Sequence, residues 1–329
     1  MNELSPIEHI QTSKELERCP FPIPYGWFMI DESASIAPGE IRQIQAFDQQ
    51  WVMFRGESGK VGISDPFCPH LGAHLGEGGV VVGDSIRCPF HHWEYDTQGW
   101  CTKIPYAKVM PPIARKKPIL RSLPIIERYG SIYAWYHPEG AEPMFELPEV
   151  PEFESDDYVT LPRGAWDIGT AIQEIGENAV DFAHLHYLHG APIIPPGTAR
   201  VEGNVFHFDI GNGYIVGENH GPGIAVVRHS QNGVTMTMFS SSLPIDRENT
   251  RTMMQFTYRN YEEGSVERKI AHKLYEHSIG ETEDEDSAGF ESVDLIVWNN
   301  KKYRPQPLLC DGDGPILLWR RWFSQYYVD

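Results

Sequence analysis

Cationic side chains are scarce in this chain. Against 46 Asp and Glu there are only 27 Lys and Arg in 329 residues, a formal net charge of −19. A surface of that sign repels phosphate backbones and anionic headgroups, so nucleic acid is excluded as a partner. Long apolar runs are missing as well. No stretch reaches the ~18 residues needed to span a bilayer, and Met1-Asn2-Glu3-Leu4-Ser5 shows no basic region leading into an apolar run. Neither a transmembrane segment nor a signal peptide is expected. Cysteine is sparse, five in all, and Cys19, Cys101 and Cys310 are too scattered for a disulfide framework. That usage points to a reducing, cytoplasmic setting. No Gly-x-Gly-x-x-Gly loop lies between a strand and a helix, so this chain is not expected to bind a nicotinamide or a flavin. The 41% apolar fraction nevertheless supports two cores of ordinary size.

What the chain does have is Cys68-Pro69-His70, then 17 residues, then Cys88-Pro89-Phe90-His91. Two thiolates on one iron and two imidazoles on the other are the ligand set of a Rieske [2Fe–2S] cluster, and neutral imidazoles let the second iron accept an electron more readily. Gly72, Gly76, Gly78 and Gly79 would let two short loops wrap closely around such a cluster. Pro69, Leu71, Leu75, Pro89 and Phe90 would shield it from water. A Cys2His2 zinc site would use the same atoms, but zinc sites ordinarily place two or more residues between the first pair of ligands. High-potential Rieske proteins resemble this segment but carry extra cysteines where Ala73 and Phe90 stand, so the likeness is to the lower-potential group.

Organisation follows composition. Residues 1–24 read as an extension. Residues 25–148 read as an all-β module, with strands at 51–55, 60–63, 80–82 and 131–136 and hairpin turns at Gly83-Asp84 and Asp96-Thr97-Gln98-Gly99. A Pro- and Glu-rich connector covers 142–162. Residues 149–329 read as a second, mixed domain, making the fold class α+β. It opens with a helix over 171–188, ended by Gly190 and the prolines beyond. Antiparallel strands follow at 205–210, 214–216, 224–229, 234–240 and 252–258, then a solvated acidic run at 281–286. A helix at 292–301 and a final element around 317–327 close the domain.

The helix at 171–188 carries Asn178-x-x-Asp181-x-x-His184-x4-His189. Spacings of three put Asn178, Asp181 and His184 on one helical face, with His189 just over a turn later. Two imidazoles with one carboxylate from elsewhere form the facial triad of non-heme Fe(II) oxygenases, which leaves coordination positions open. His186 points off that face and reads as a packing or surface histidine.

Both motifs together, from about Trp27 onward, resemble the catalytic subunit of Rieske non-heme iron oxygenases. That family's Glu-Asn-x-x-Asp-x-x-His-x4-His motif matches Glu177 to His189. The resemblance implies a Rieske domain followed by a helix-grip catalytic domain. It also implies one [2Fe–2S] cluster on Cys68, His70, Cys88 and His91, and one mononuclear Fe(II) on His184, His189 and an aspartate of a later helix. Asp294, followed by Trp298, fits that third place; Asp311 and Asp313 compete, but Cys310 to Pro315 reads as a turn. Asn178 and Asp181 would serve catalysis. The resemblance further implies a head-to-tail homotrimer in which Asp181 bridges His91 of one chain and His184 of another, and a separate NAD(P)H-dependent reductase or ferredoxin as electron donor.

Pro22 to Phe28, Cys68 to Gly76, Ile104-Pro105-Tyr106 and Arg320 to Tyr327 are similar to the branch holding 3-ketosteroid 9α-hydroxylase oxygenases and cholesterol 7-desaturases. That branch implies hydroxylation or desaturation of a bulky, apolar, sterol-like substrate. Met236, Met238, Phe239, Met254, Phe256 and Trp298 could line its site or simply be core. Two other readings remain open: an oxygenase for smaller aromatic or O-methyl substrates, and a Rieske electron carrier fused to a ligand-binding domain without chemistry.

Overall fold

The computed structural model describes residues 18–279 and 290–328. Its N-terminal half is built from ten short strands: β1 (Gly26–Glu32), β2 (Ile41–Ala46), β3 (Gln49–Arg55), β4 (Val61–Ser64), β5 (Val80–Val82), β6 (Ser85–Arg87), β7 (Glu94–Asp96), β8 (Cys101–Lys103), β9 (Ile125–Arg128) and β10 (Ser131–Tyr136). They form three sheets, β1-β10-β9, β2-β3-β4 and β5-β6-β7-β8. Both expected hairpin turns are present. Gly83 begins the first with φ +58°. In the second, Asp96 Oδ1 accepts from the backbone N–H of Gln98 (3.0 Å) and Trp100 (2.9 Å), and Gly99 sits at φ +81° where a Cβ would lie 1.9 Å from the Leu120 carbonyl oxygen. No other residue fits there.

The second half is a seven-stranded antiparallel sheet in the order β11-β17-β16-β15-β14-β13-β12. Its strands are β11 (Tyr158–Ile168), β12 (Gly197–Glu202), β13 (Val205–Ile210), β14 (Ile215–His220), β15 (Ile224–Gln231), β16 (Val234–Pro244) and β17 (Thr250–Arg259). The helices are α1 (Ile172–Gly176), α2 (Phe182–Tyr187), α3 (Val266–Ile279), α4 (Phe290–Asn300) and α5 (Ile316–Phe323). The mixed α+β class is therefore as expected. On β13 the period-2 alternation is clean: Phe206, Phe208 and Ile210 are buried while His207 and Asp209 turn to the other face.

Two expectations need correction, and one element left open between strand and helix is now assigned. The connector ends earlier than 162, because Tyr158 to Pro162 already belong to β11. Pro162 is tolerated since the ladder with β17 shifts register between Leu161 and Gly164, and a bulge needs no donor from it. The helix over 171–188 is not continuous. It breaks into α1, a 3-10 turn at Glu177–Ala179, and α2, because Asp181 leaves helical geometry (φ −90°, ψ 89°) and its side chain caps α2 by accepting from the His184 N–H. The final element is helical, α5 followed by a 3-10 turn at Ser324–Tyr326. The acidic run at 281–286 lies outside the described residues.

One apolar core runs through both halves. Trp27, Phe28 and Ile132 to Tyr136 share it with Phe206, Ile224, Phe239, Trp319, Trp322 and Tyr326. Among the described residues no helix is long and apolar enough to cross a membrane.

Candidate metal centres

The four residues of the first motif sit on two loops of matching design, one after β4 and one between β6 and β7. In each, the cysteine N–H donates five residues ahead and the cysteine carbonyl accepts from four residues ahead. Cys68 bonds to the Ala73 oxygen and from the Gly72 N–H, both at 2.9 Å; Cys88 bonds to the Trp93 oxygen (2.8 Å) and from the His92 N–H (3.1 Å). The fourth-ahead residue has positive φ in both loops, +74° at Gly72 and +59° at His92. Cys68 and Cys88 are buried free thiols, and the rings of His70 and His91 lie 4.8 Å apart, nearly perpendicular. Nδ1 of His91 is buried without a hydrogen-bond partner.

Two supports were not singled out from the sequence. Trp93 stacks on His70 at 4.5 Å and is held by donation from its Nε1 to the Tyr106 hydroxyl at 2.8 Å. The Tyr95 hydroxyl lies 3.2 Å from Cys68 Sγ. Burial pushes the Cys68 thiol up from its ordinary value, with the Tyr95 hydroxyl working against that shift. The alternation Trp93-Glu94-Tyr95 straight after the second loop carried this signal, since it aims two aromatics at the side the cysteines occupy. The expected shield is only partly there. Leu75 is fully buried, but Leu71 is 65% and Phe90 60% exposed, and Pro69 and Pro89 are exposed too. These four stand at loop tips that point away from the chain's own core.

The second motif converges as a centre. His184, His189 and Asp294 each offer one ligand atom, all within 4.8 Å of one another. His184 belongs to α2, and its Nδ1–H donates to the Asp181 carbonyl. That bond sets the tautomer and leaves the Nε2 lone pair available. Burial also pushes the His184 imidazole down from its ordinary value, favouring the neutral form that a metal needs. His189 follows the helix end, where Gly190 (φ +74°) and a bond from Ala191 N–H to the Leu185 carbonyl (2.9 Å) turn the chain. Its Nε2 lies 3.0 Å from Asp294 Oδ2. Asp294, on α4, is 3% exposed and takes a bond on Oδ1 from Asn178 Nδ2 at 3.0 Å. Of the competing aspartates, Asp313 accepts from the Cys310 N–H at 2.7 Å in the expected turn, and Asp311 is exposed. His186 donates through Nδ1 to the Ala191 carbonyl, a packing role.

His184, His189 and Asp294 open on a cavity of about 850 Å³ whose wall is mostly apolar, a size suited to a drug-sized or larger ligand. Of the apolar residues noted from the sequence, Met238, Met254 and Trp298 line it. Met236 and Phe256 are core beneath the helices, while Phe239 faces the other half beside Tyr129 and Tyr133. Polar groups unnoticed in the sequence also line it, among them Asn219, Ser240, His229 and His277. Burial pushes His229 down to about 4, so it is neutral at ordinary pH.

A Cys-His pair on each of two matched loops ahead of a buried two-histidine, one-aspartate centre defines an oxidoreductase of the Rieske oxygenase class. Residues 26–123 match the family model for the Rieske [2Fe-2S] domain. Residues 134–327 match that of the 3-ketosteroid 9alpha-hydroxylase C-terminal domain, and the chain belongs to this family. It is 31% identical over 351 residues to the cholesterol 7-desaturase of Caenorhabditis elegans, covering 98% of this chain and 81% of the relative. It is 30% identical over 330 residues to a probable 3-ketosteroid-9-alpha-monooxygenase oxygenase component of Rhodococcus rhodochrous, covering 92% and 80%. The fold is also that of dicamba monooxygenase in its dicamba complex, with a TM-score of 0.67, 15% identity, and coverage of 92% of this chain and 96% of that one.

Proposed function

We propose that this chain is the terminal oxygenase of a multicomponent system that hydroxylates or desaturates a steroid or sterol. The observation that carries this reading is the opening of a three-ligand centre directly onto a large, largely apolar cavity. In this assignment Cys68, His70, Cys88 and His91 hold the cluster, and His184, His189 and Asp294 hold a mononuclear Fe(II). The residues suit both groups. Two buried thiols beside an orphaned buried His91 Nδ1 are the donors a [2Fe–2S] cluster would take up, and two neutral imidazoles with one carboxylate suit Fe(II). When bound, the cluster supplies electrons one at a time and the ferrous ion supplies open positions for dioxygen.

The chain's own residues do the rest. Asn178 holds Asp294 through Oδ1 and so fixes which oxygen faces the histidines. The Asp181 carbonyl keeps the proton of His184 on Nδ1. The cavity wall excludes water and holds an apolar skeleton against the centre. The division near residue 148, with the cluster-bearing unit ahead of the iron-bearing one, belongs to the same proposal. So does a head-to-tail trimer in which Asp181 of one chain approaches His91 of the next; the exposed Leu71 and Phe90 beside the cluster loops support it as a face awaiting cover. Electrons come from a separate reductase or ferredoxin. The free state of Cys19, Cys68, Cys88, Cys101 and Cys310 supports a cytoplasmic location.

The test is direct. Reconstituted protein is expected to hold about three irons per chain, and Asp294→Ala about two. With a surrogate reductase, NADH and a steroid panel, mass analysis is expected to find a gain of one oxygen or a loss of two hydrogens. Two irons in the wild type would leave an electron carrier. Turnover of small aromatics with no steroid product would move the substrate class.

A further inference from the structure

The sheet that floors the cavity sorts its polar side chains to two ends. Asn219 on β14 stands opposite Ala225, Ala225 opposite Ser240, and Ser240 opposite Met254, so these four form one row across the cavity floor. The next row along is apolar, with Val227 opposite Met238. The row after that holds His229 opposite Ile215. Ala225 and His229 are four residues apart on β15, roughly 13 Å at the rise of an extended strand. The floor is thus polar, apolar, then polar over the length of a rigid polycyclic skeleton.

The two ends differ in access. At the His229 end the lining includes Tyr214, 42% exposed, which marks the mouth; at the Asn219 end it includes Thr252 and Trp319, each 1% exposed. Ser242 and Thr252 at that closed end satisfy each other, hydroxyl to hydroxyl at 3.0 Å. Asn219 does not share this self-sufficiency. It is 9% exposed, and its Nδ2 is buried without a hydrogen-bond partner. A buried donor left unmet is costly. The terminal torsion of Asn is broad and roughly two-fold, so the amide of this cavity-lining residue is free to turn its donor toward a bound ligand.

We propose that Asn219 is the specificity-determining residue for the substrate's terminal oxygen: the polycycle enters oxygen-first, and Nδ2–H donates to a carbonyl oxygen at the closed end. This rests on the steroid reading above and adds to it the polarity and direction of binding. An apolar floor alone would hold the skeleton equally well either way round; an unmet amide donor beside the Ser240 hydroxyl at the blind end breaks that symmetry.

Binding decides the matter independently of turnover. Trp298 and Trp319 line the cavity, so ligand binding to the iron-replete protein can be followed by tryptophan fluorescence. The probes are a 3-ketosteroid and its 3-deoxy counterpart, with wild type, Asn219→Leu and Asn219→Asp. One hydrogen bond to a carbonyl corresponds to about tenfold in affinity. The wild type is expected to prefer the ketone by about that factor. Both variants are expected to lose this preference through weaker ketone binding, while affinity for the deoxy compound is kept, which also shows that the variants fold. An unchanged preference in Asn219→Leu, equal wild-type affinities, or parallel loss of both ligands overturns the role of Asn219 and leaves the steroid reading standing. Failure of the wild type to bind either probe overturns the steroid reading and this inference with it.

Discussion

Asp294 commits both carboxylate oxygens, Oδ2 toward His189 Nε2 and Oδ1 to Asn178 Nδ2, each at 3.0 Å. Asn178 is therefore a positioning residue, and the sequence pattern alone could not say what it positions. Asn178→Ala is expected to weaken iron affinity at the second centre by about 10–100-fold while leaving cluster absorbance intact, as an iron titration would read. Tyr95 plays a comparable part at the first centre. Its hydroxyl, 3.2 Å from Cys68 Sγ, would stabilise the more electron-rich state of a cluster held there. A hydrogen bond worth about 1 kcal/mol corresponds to ~40 mV for one electron. Tyr95→Phe is expected to lower the cluster potential by that order in a redox titration, with ligation unchanged.

At the scale of elements, the break before α2 matters more than the helix around it. A continuous helix would have placed Asp181 on the face of Asn178 and His184. As the N-cap it instead directs its carbonyl to His184 Nδ1 and its side chain to the His184 N–H. The preceding 3-10 turn is fastened from the far end of the chain, where Arg320 on α5 grips both oxygens of Glu177 at 2.6 and 3.0 Å. Asn caps a helix as well as Asp does, so Asp181→Asn is expected to keep the fold, with a stability change within about 0.5 kcal/mol. It is also expected to keep both metal groups but lose turnover by about 10–100-fold. Turnover like the wild type's in a metal-replete variant would remove Asp181 from the machinery.

For the whole molecule, the shared core joins the two halves at a point with no spare room. A Cβ on Gly223, in the turn before β15, would lie 2.3 Å from the Phe28 ring and 2.4 Å from the Trp27 carbonyl oxygen. Gly223→Ala must push β1 off the second half. It is expected to cost about 1–3 kcal/mol and to lower a single calorimetric transition for the whole chain, because one core serves both halves. Two resolved transitions would mean that the halves fold independently.

Spacing along the chain was enough to single out Cys68, His70, Cys88, His91, His184 and His189 as candidate ligands. Cys68-x-His70 and Cys88-x-x-His91 each lie within one loop, and His184 and His189 lie within two turns of each other. Geometry at that range follows from local backbone preferences. The hairpin turns at Gly83 and Gly99 were legible for the same reason. The helix break at Asp181 was not, because uninterrupted periodicity hides a capping residue inside it. Nor was Pro162 in β11 legible, since a bulge shows only when a partner strand is present. The choice of Asp294 over Asp311 and Asp313, 110 residues beyond His184, rested on resemblance and required folding to express. The polar ends of the cavity depended on folding altogether. Asn219, Ser240 and His229 look unremarkable in sequence and acquire a common floor only through the register of three strands, which long-range pairing decides.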